Sequence, residues 1–152
     1  LILAGKMLED DIRQLLDETA SVTEGITYLN YVDHDKKHEL FAECSCFLFP
    51  SKAEGFGMPV LEVMKFKKPV IVSNLDIFDE IVGDCVNRFD LRGNEAQQID
   101  NLANVLENYS ADVQAEKYEE TVNRYAPDVL GERVREFILK ELNQNEAFKG
   151  IV

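Results

Sequence analysis

Short apolar runs alternate along this chain with stretches whose apolar residues recur every three or four positions, a pattern that predicts strands and helices in turn. Leu1–Ala4 reads as a buried strand ended by Gly5, followed by a helix from about residue 9 to residue 19 with Ile12, Leu15 and Leu16 on one face. Ile26–Leu29 is a second strand, and Asp33 is placed to cap a helix that runs to about Glu43 with Leu40 and Phe41 turned inward. Cys46–Phe49 is a third strand, stopped by Pro50-Ser51. Pro59 sits where the first turn of a helix tolerates it, and Val60–Phe66 continues that helix. Pro69–Ser73 is a fourth strand, Asp76–Val82 a short helix and Val86–Phe89 a fifth strand.

From Asn94 onward the pattern is helical only. Ile99, Leu102, Ala103, Val105 and Leu106 form an apolar stripe, Asp112–Tyr125 makes a second helix, and Pro127 opens a third that reaches about Asn143. Tyr109, Tyr118 and Tyr125 are expected to pack on the sheet rather than form a stacking platform. Strands and helices alternating at this spacing predict an α/β fold, a Rossmann-like parallel sheet flanked by helices with an all-helical C-terminal portion. Residues 1–143 are read as one domain and 144–152 as a frayed tail. Ligands of such sheets lie at the carboxyl ends of the strands, so the loops to search follow Ala4, Leu29, Phe49 and Ser73.

The 152 residues are enough to bury a core, and 45% hydrophobic with 30% charged residues is the balance of a globular protein. The net charge of −13 argues against a nucleic-acid partner, since phosphate backbones are held by clustered Lys and Arg. Only the window from Lys52 to Lys68 departs from this acidity, with four lysines (Lys52, Lys65, Lys67, Lys68) against Glu54 and Glu62. Such a patch suits an anionic ligand, but lysines on a solvated helix end explain it about as well. Cys44, Cys46 and Cys85 are odd in number and lack the spacing of a zinc pair, which reads as small thiols in a reducing cytoplasm. His34 and His38 share a helix face at a metal-binding spacing, but they stand among charges with no third ligand in view, so surface histidines are the better reading. The chain opens without Met on an apolar stretch, so it is expected to begin in mid-domain.

The loop after the third strand carries the most chemistry. Gly55 and Gly57 allow a tight turn and close approach of a ligand to the main chain. The helix that follows directs unpaired N–H groups back at the loop, where a phosphate or sugar oxygen accepts them. Glu54, at the lip, is placed to accept hydrogen bonds from sugar hydroxyls. Glu62 lies among Val60, Leu61, Val63, Met64 and Phe66, where a carboxylate needs donors such as a ribose diol; a solvated residue paired with Lys65 is the even-odds alternative.

Taken together, Glu54-Gly55-Phe56-Gly57-Met58-Pro59-Val60-Leu61-Glu62 resembles the Glu-x7-Glu signature of the retaining glycosyltransferases of family 4, within the glycosyl transferases group 1, which have the two-domain GT-B type fold. The resemblance extends over nearly the whole chain. Phe47-Leu48-Phe49-Pro50-Ser51 precedes the signature, and Pro69-Val70-Ile71-Val72-Ser73, Glu80-Ile81-Val82-Gly83 and Phe89-Asp90 follow it in the family's order. Ile26–Val32 is similar to the strand that leads to the family's base-contacting loop.

This resemblance implies the C-terminal, donor-binding half of a metal-independent hexosyltransferase with no cofactor, the nucleoside diphosphate sugar being its substrate. Glu54, the candidate catalytic residue, would bond the hydroxyls of a UDP-, GDP- or ADP-sugar, and Glu62 the ribose. The amides of Phe56, Gly57 and Met58, beside Gly55, would contact the sugar, and those of Val60 and Leu61 the diphosphate. Tyr31 and Val32 would hold the base.

The resemblance also implies partners and absences. The family's acceptor-binding N-terminal domain, and the Arg and Lys that grip the diphosphate, are expected before residue 1, so this segment alone is expected to be inactive. Lys6 is no stand-in for that pair, the Gly-rich first loop is only Gly5-Lys6, and Asn30 replaces a common glycine. In the whole protein the last helix would return to the N-terminal domain, leaving Val134, Phe137 and Ile138 partly uncovered here. The expected location is cytoplasmic, peripheral to the inner face of a membrane only through the full-length protein, in polysaccharide or glycolipid biosynthesis. The alternatives are a non-catalytic nucleotide-sugar-binding or scaffolding module of the same family, and a sugar-nucleotide epimerase, whose relatives lack the Glu-Gly-Phe-Gly-x-Pro run.

Overall fold

The computed structural model describes residues 1–5 and 10–144. The chain divides into two compact units, Leu1–Glu43 and Cys44–Val152.

In the first unit, β1 (Ile2–Ala4) pairs in parallel with β2 (Thr27–Leu29), with Leu3 opposite Tyr28. Helix α1 (Asp10–Val22) lies between them in sequence, and α2 (His34–Glu43) follows β2. Asp33 caps α2 as the sequence predicts: its Oδ1 accepts the Lys36 N–H at 2.8 Å, satisfying a donor that the first turn leaves without a helical partner. Phe41 is buried, while Leu40 is half-buried. On α1 the expected apolar face is only partly covered, because Leu16 is half-buried but Leu15 is exposed. The Ile12 side chain, the start of that helix at residue 9 and the Lys6 position lie outside what is described.

The second unit holds the deeper core. Strands β3 (Phe47–Phe49), β4 (Val70–Ser73) and β5 (Asn87–Phe89) form a parallel sheet in the order β3-β4-β5. Leu48 faces Ile71, and Val72 faces Arg88. As the central strand, β4 is paired on both edges and all four of its residues are buried, which is why it reads as a continuous apolar run. Helix α3 (Met58–Met64) joins β3 to β4 and buries Val60, Leu61, Val63 and Met64. Helix α4 (Asp76–Ile81) joins β4 to β5 and buries Phe78 and Ile81.

Three longer helices complete this unit: α5 (Glu95–Asn108), α6 (Ala115–Arg124) and α7 (Pro127–Gln144). Helix α6 packs on α3, burying Tyr118, so Tyr118 joins the core as the sequence predicts. Tyr109 and Tyr125 are half-buried. Helix α6 begins three residues later than Asp112, since residues 112–114 are not helical. The α5 stripe is less covered than its pattern predicts: Leu102 and Val105 are half-buried, but Ile99, Ala103 and Leu106 are exposed. The helix meets β5 along a narrow strip, and no residue of it is fully buried. Val134, Phe137 and Ile138 on α7 are exposed by 57%, 64% and 49%, in keeping with the uncovered face expected there. Helix α7 includes Gln144, and the rest of the expected tail, residues 145–152, lies outside the described residues.

Arg88, on β5, closes the C-terminal end of α4. Its Nη2 donates to the carbonyls of Phe78 at 2.9 Å and Gly83 at 2.6 Å. Nη1 stands 2.8 Å from Asp79 Oδ1, an ion-pair distance without the angles of a directed hydrogen bond. The Phe78 carbonyl also receives the N–H groups of Val82 and Gly83, both at 3.1 Å, so three donors converge on the end of this short helix.

At the start of α5, Asn94 and Gln97 form a capping box: Asn94 Oδ1 accepts the Gln97 N–H at 3.0 Å and Gln97 Oε1 accepts the Asn94 N–H at 2.9 Å. Replacing Asn94 by Ala removes one bond and the geometry of the other. The variant is expected to lose about 1 kcal/mol of unfolding free energy in a urea titration, and Asn94→Asp much less.

Candidate functional site

The loop between β3 and α3 begins where Pro50 ends the strand, and two serines set its shape. Ser73, the last residue of β4, is fully buried and donates its hydroxyl to the Ser51 carbonyl at 2.5 Å. A buried hydroxyl needs such a partner, and this one ties the loop after β3 to the end of β4. Ser51 in turn donates its own hydroxyl to Glu54 Oε1 at 2.5 Å, a charge-assisted bond that holds the half-buried Glu54 carboxylate in one orientation.

Gly57 carries the second constraint. It is the N-cap of α3 with φ 84° and ψ 43°, a left-handed conformation that costs other residues free energy. A Cβ there would lie 2.7 Å from Phe78 Cε1, inside any allowed contact. The Phe78 ring is itself fully buried and meets Phe49 edge-on with centroids 6.2 Å apart. Gly55 is different: its φ is not left-handed, and a Cβ built on it meets nothing within 4 Å. The sequence singles out both glycines, but only Gly57 is required by the fold, and Gly55 leaves open space beside the main chain.

Phe56, between them, is half-buried and meets the Tyr125 ring edge-on at 5.2 Å. The Tyr125 hydroxyl donates to the Glu80 carbonyl at 3.3 Å, while the Glu80 side chain is exposed. Of the amides expected to meet a ligand, that of Val60 donates to the Gly57 carbonyl at 3.0 Å, closing the first turn of α3. Pro59 has no N–H, and Met58, at the first helical position, has no partner within the helix for its own. Because α3 has seven residues, its dipole is short and these individual donors matter more than its axis. Met58 is exposed and Leu61 buried.

Glu62 follows Leu61 and is half-buried rather than enclosed on most sides. Its Oε2 is buried and accepts no hydrogen bond from the described residues, although the side chain has an interaction of its own.

Glu54 opens onto a cavity of about 310 Å³ lined by Ala53, Glu54, Asn74, Leu75, Asp76 and Ile77. It stands at the carboxyl ends of β3 and β4, where parallel sheets bind ligands. Sequence reasoning pointed to the loop after Ser73 but named no residue in it. The missed signal was adjacency: two neighbouring parallel strands must deliver their following loops to the same edge.

In the first unit, Tyr31 and Val32 follow β2. Tyr31 is 80% exposed and Val32 half-buried. The β2 end is tied to Gly5, whose N–H donates to the carbonyls of Leu29 at 3.1 Å and Asn30 at 3.0 Å, and whose carbonyl accepts the Tyr28 hydroxyl at 2.9 Å.

The remaining reactive groups are quiet. Burial pushes the Cys46 thiol up to about 11, with the neighbouring Cys44 adding to it, and burial also raises Cys44 and Cys85. At neutral pH these thiols stay protonated and are poor nucleophiles. The His34 and His38 rings lie with centroids 3.9 Å apart, and among the described residues no group of three His, Cys, Asp or Glu side chains is arranged to hold a metal ion. Nor is any described helix long and apolar enough to cross a membrane.

Residues 1–129 match the family model described as "Glycosyl transferases group 1". The O-antigen chain mannosyltransferase B of Escherichia coli is 41% identical over 85 residues, covering 55% of this chain and 22% of that protein. The O-antigen biosynthesis glycosyltransferase WclY of Escherichia coli is 28% identical over 144 residues, covering 85% of this chain and 40% of its own length. Among solved structures, Anabaena Alr3699/HepE in complex with UDP and glucose superposes with a TM-score of 0.70 at 22% identity, over 91% of this chain and 40% of that one. That likeness establishes the fold as the Rossmann-like half of a GT-B protein, and the chain spans 40% or less of each of these three proteins.

Two outcomes follow from this geometry. Gly57→Ala is expected to destabilise by on the order of 2 kcal/mol or more in chemical denaturation, from backbone strain and the Phe78 overlap together. Gly55→Ala should stay within about 0.5 kcal/mol of the parent. Separately, Cys46 should resist alkylation by iodoacetamide at pH 7.5 in the folded chain, gain reactivity as pH rises toward about 11, and react at pH 7.5 only after unfolding.

Proposed function

The chain belongs to the glycosyl transferases group 1 family, and from that membership we propose that it binds the nucleoside diphosphate sugar donor for a hexosyl transfer with retention at the anomeric carbon. The observation that carries this reading is Glu54. Its carboxylate is held by Ser51 at the rim of a cavity of monosaccharide size, at the carboxyl ends of two adjacent parallel strands.

Each residue then has a physical task. Glu54 accepts hydrogen bonds from the donor's sugar hydroxyls and, prepositioned by Ser51, loses little freedom on doing so. The space beside Gly55 admits the sugar to the main chain, where the amides of Phe56, Gly57 and Met58 meet its oxygens. Glu62, buried at one oxygen within an apolar helix, takes the ribose diol, two donors matched to a carboxylate. The Val60 and Leu61 end of α3 faces the diphosphate, with the Val60 amide shared between Gly57 and phosphate. Tyr31 and Val32 receive the base, largely through their main chain.

Departure of the nucleoside diphosphate builds negative charge on the leaving oxygen. In this reading main-chain donors and basic side chains meet that charge without a metal ion. The basic pair and the acceptor site come from the remainder of a longer polypeptide, consistent with a chain that spans 22% and 40% of two curated relatives. The chain alone therefore binds donor without transferring it. Relatives named for O-antigen mannosyl transfer favour a mannosyl donor and a cell-surface polysaccharide product, with the work done on the cytoplasmic side where sugar nucleotides are made. The intact Glu54 and Glu62 favour this over a binding or scaffolding module that has lost transfer.

Titration of isotopically labelled chain with UDP, GDP, ADP and their hexose conjugates checks the proposal. One nucleotide is expected to shift the amides of residues 55–62 and 31–32 with millimolar-range affinity. Glu62→Ala should weaken that nucleotide roughly tenfold. A folded chain whose amides respond to no nucleotide would sink the reading.

A further inference from the structure

The cavity beside Glu54 has a second wall that the family signature does not reach. Asn74 and Asp76 line it together with Glu54, and both are exposed. Their polar groups are uncommitted among the described residues. The Asn74 main chain is spent, its N–H donating to the Phe89 carbonyl at 2.8 Å, but no described residue bonds its amide side chain. Asp76 opens α4 without capping it, since the N-cap is Leu75 and makes no side-chain bond.

This wall is fixed relative to Glu54 at two points. Ser73, the residue before Asn74, donates to Ser51, which itself holds Glu54. Phe78, two residues past Asp76, lies under Gly57 at the other end of the loop. Moving either wall would break a part-buried hydrogen bond or open a packed ring. The backbone that carries the two carboxylates and the amide is therefore fixed, and the Glu54 side chain is itself held by Ser51.

The chemistry of that set is selective. Among the described residues, two carboxylates and no lysine or arginine line the cavity; Lys52, although next to Ala53 in sequence, is not part of the lining. Such a lining accepts from hydroxyl groups and repels anions, so it suits the sugar of a donor and not its diphosphate. We propose that Asn74 and Asp76 are specificity-determining residues of the sugar subsite, bonding hydroxyls of a neutral hexose and rejecting donors whose sugar carries a carboxylate. This rests on the donor-binding reading above. It adds the second wall and the exclusion of uronic acids.

The test uses the whole 152-residue chain and two matched pairs, UDP-glucose with UDP-glucuronate and GDP-mannose with GDP-mannuronate, with free UDP and GDP as references. For whichever nucleotide binds, the parent chain is expected to favour the neutral sugar over the uronate roughly tenfold, since the uronate carboxylate is brought against the like charges of Glu54 and Asp76. Asp76→Asn should narrow that ratio at least threefold, and Asn74→Ala should weaken the neutral conjugate relative to the free nucleotide. Denaturation midpoints separate this from a structural role. If Asp76 served only the start of α4, its replacement would lower the midpoint and leave the ratio unchanged. That result, or a parent chain that binds both members of a pair alike, overturns the inference while leaving the donor-binding reading intact. A chain that binds neither free nucleotide overturns both.

Discussion

Position 57 holds a left-handed turn pressed against an aromatic ring, and the arrangement around it follows from that constraint. A side chain at this position would need both a backbone conformation that costs it free energy and space already filled by Phe78. With glycine there, α3 starts immediately, and its first turn closes through Val60 on Gly57. Phe78 in turn is held from the other end, where Arg88 and the amides of Val82 and Gly83 converge on its carbonyl. A strand residue on β5 thus bears on a loop after β3 through one ring on α4. Neither Arg88 nor Phe78 needs to touch a ligand to govern how the loop meets one.

The hydroxyl of Ser73 does at the base of the loop what Phe78 does at its end. In a strand otherwise made of Val70, Ile71 and Val72, a buried polar atom is tolerable only if it is bonded, and the Ser51 carbonyl is its partner. Ser51 then presents its own hydroxyl to Glu54. Three oxygens in series connect the centre of the sheet to a carboxylate at the rim of a cavity. Preorganisation of this kind matters for a weak, polyhydroxylated ligand, because each hydroxyl bond gains little over water and ordering a floppy acceptor would consume that gain.

Charge divides the work further. The chain carries −13 overall, yet a donor of the kind proposed carries a negative diphosphate. The cavity lined by Glu54 and Asp76 is suited to the neutral end of such a molecule. Its charged end needs main-chain donors and cations instead. Helix α7 exposes Val134, Phe137 and Ile138 on one side among the described residues.

Much of this was legible in the residues. Among the described residues, five strands and seven helices appear where the alternation of apolar runs and amphipathic stretches put them, because a buried parallel strand and a helix with one apolar face have different periods. The cap at Asp33 and the break at Pro50 are local chemistry and act within a few residues. The family was legible because its signature joins glycines, a proline and two carboxylates at fixed offsets on one loop and helix. Which glycine of that signature the fold requires was not, since the answer depends on a phenylalanine twenty-one residues away. Nor were the roles of Ser51, Ser73, Asn74 and Asp76, ordinary loop residues in one dimension. The exposed faces of α1 and α5 escaped for the same reason, because periodicity says which side of a helix is apolar but not whether anything lies against it. Sequence by itself determined the elements and the chemistry they carry; tertiary structure decided which side chains share a cavity, because adjacency between strands is made by hydrogen-bonded ladders and ring packing that no local pattern encodes.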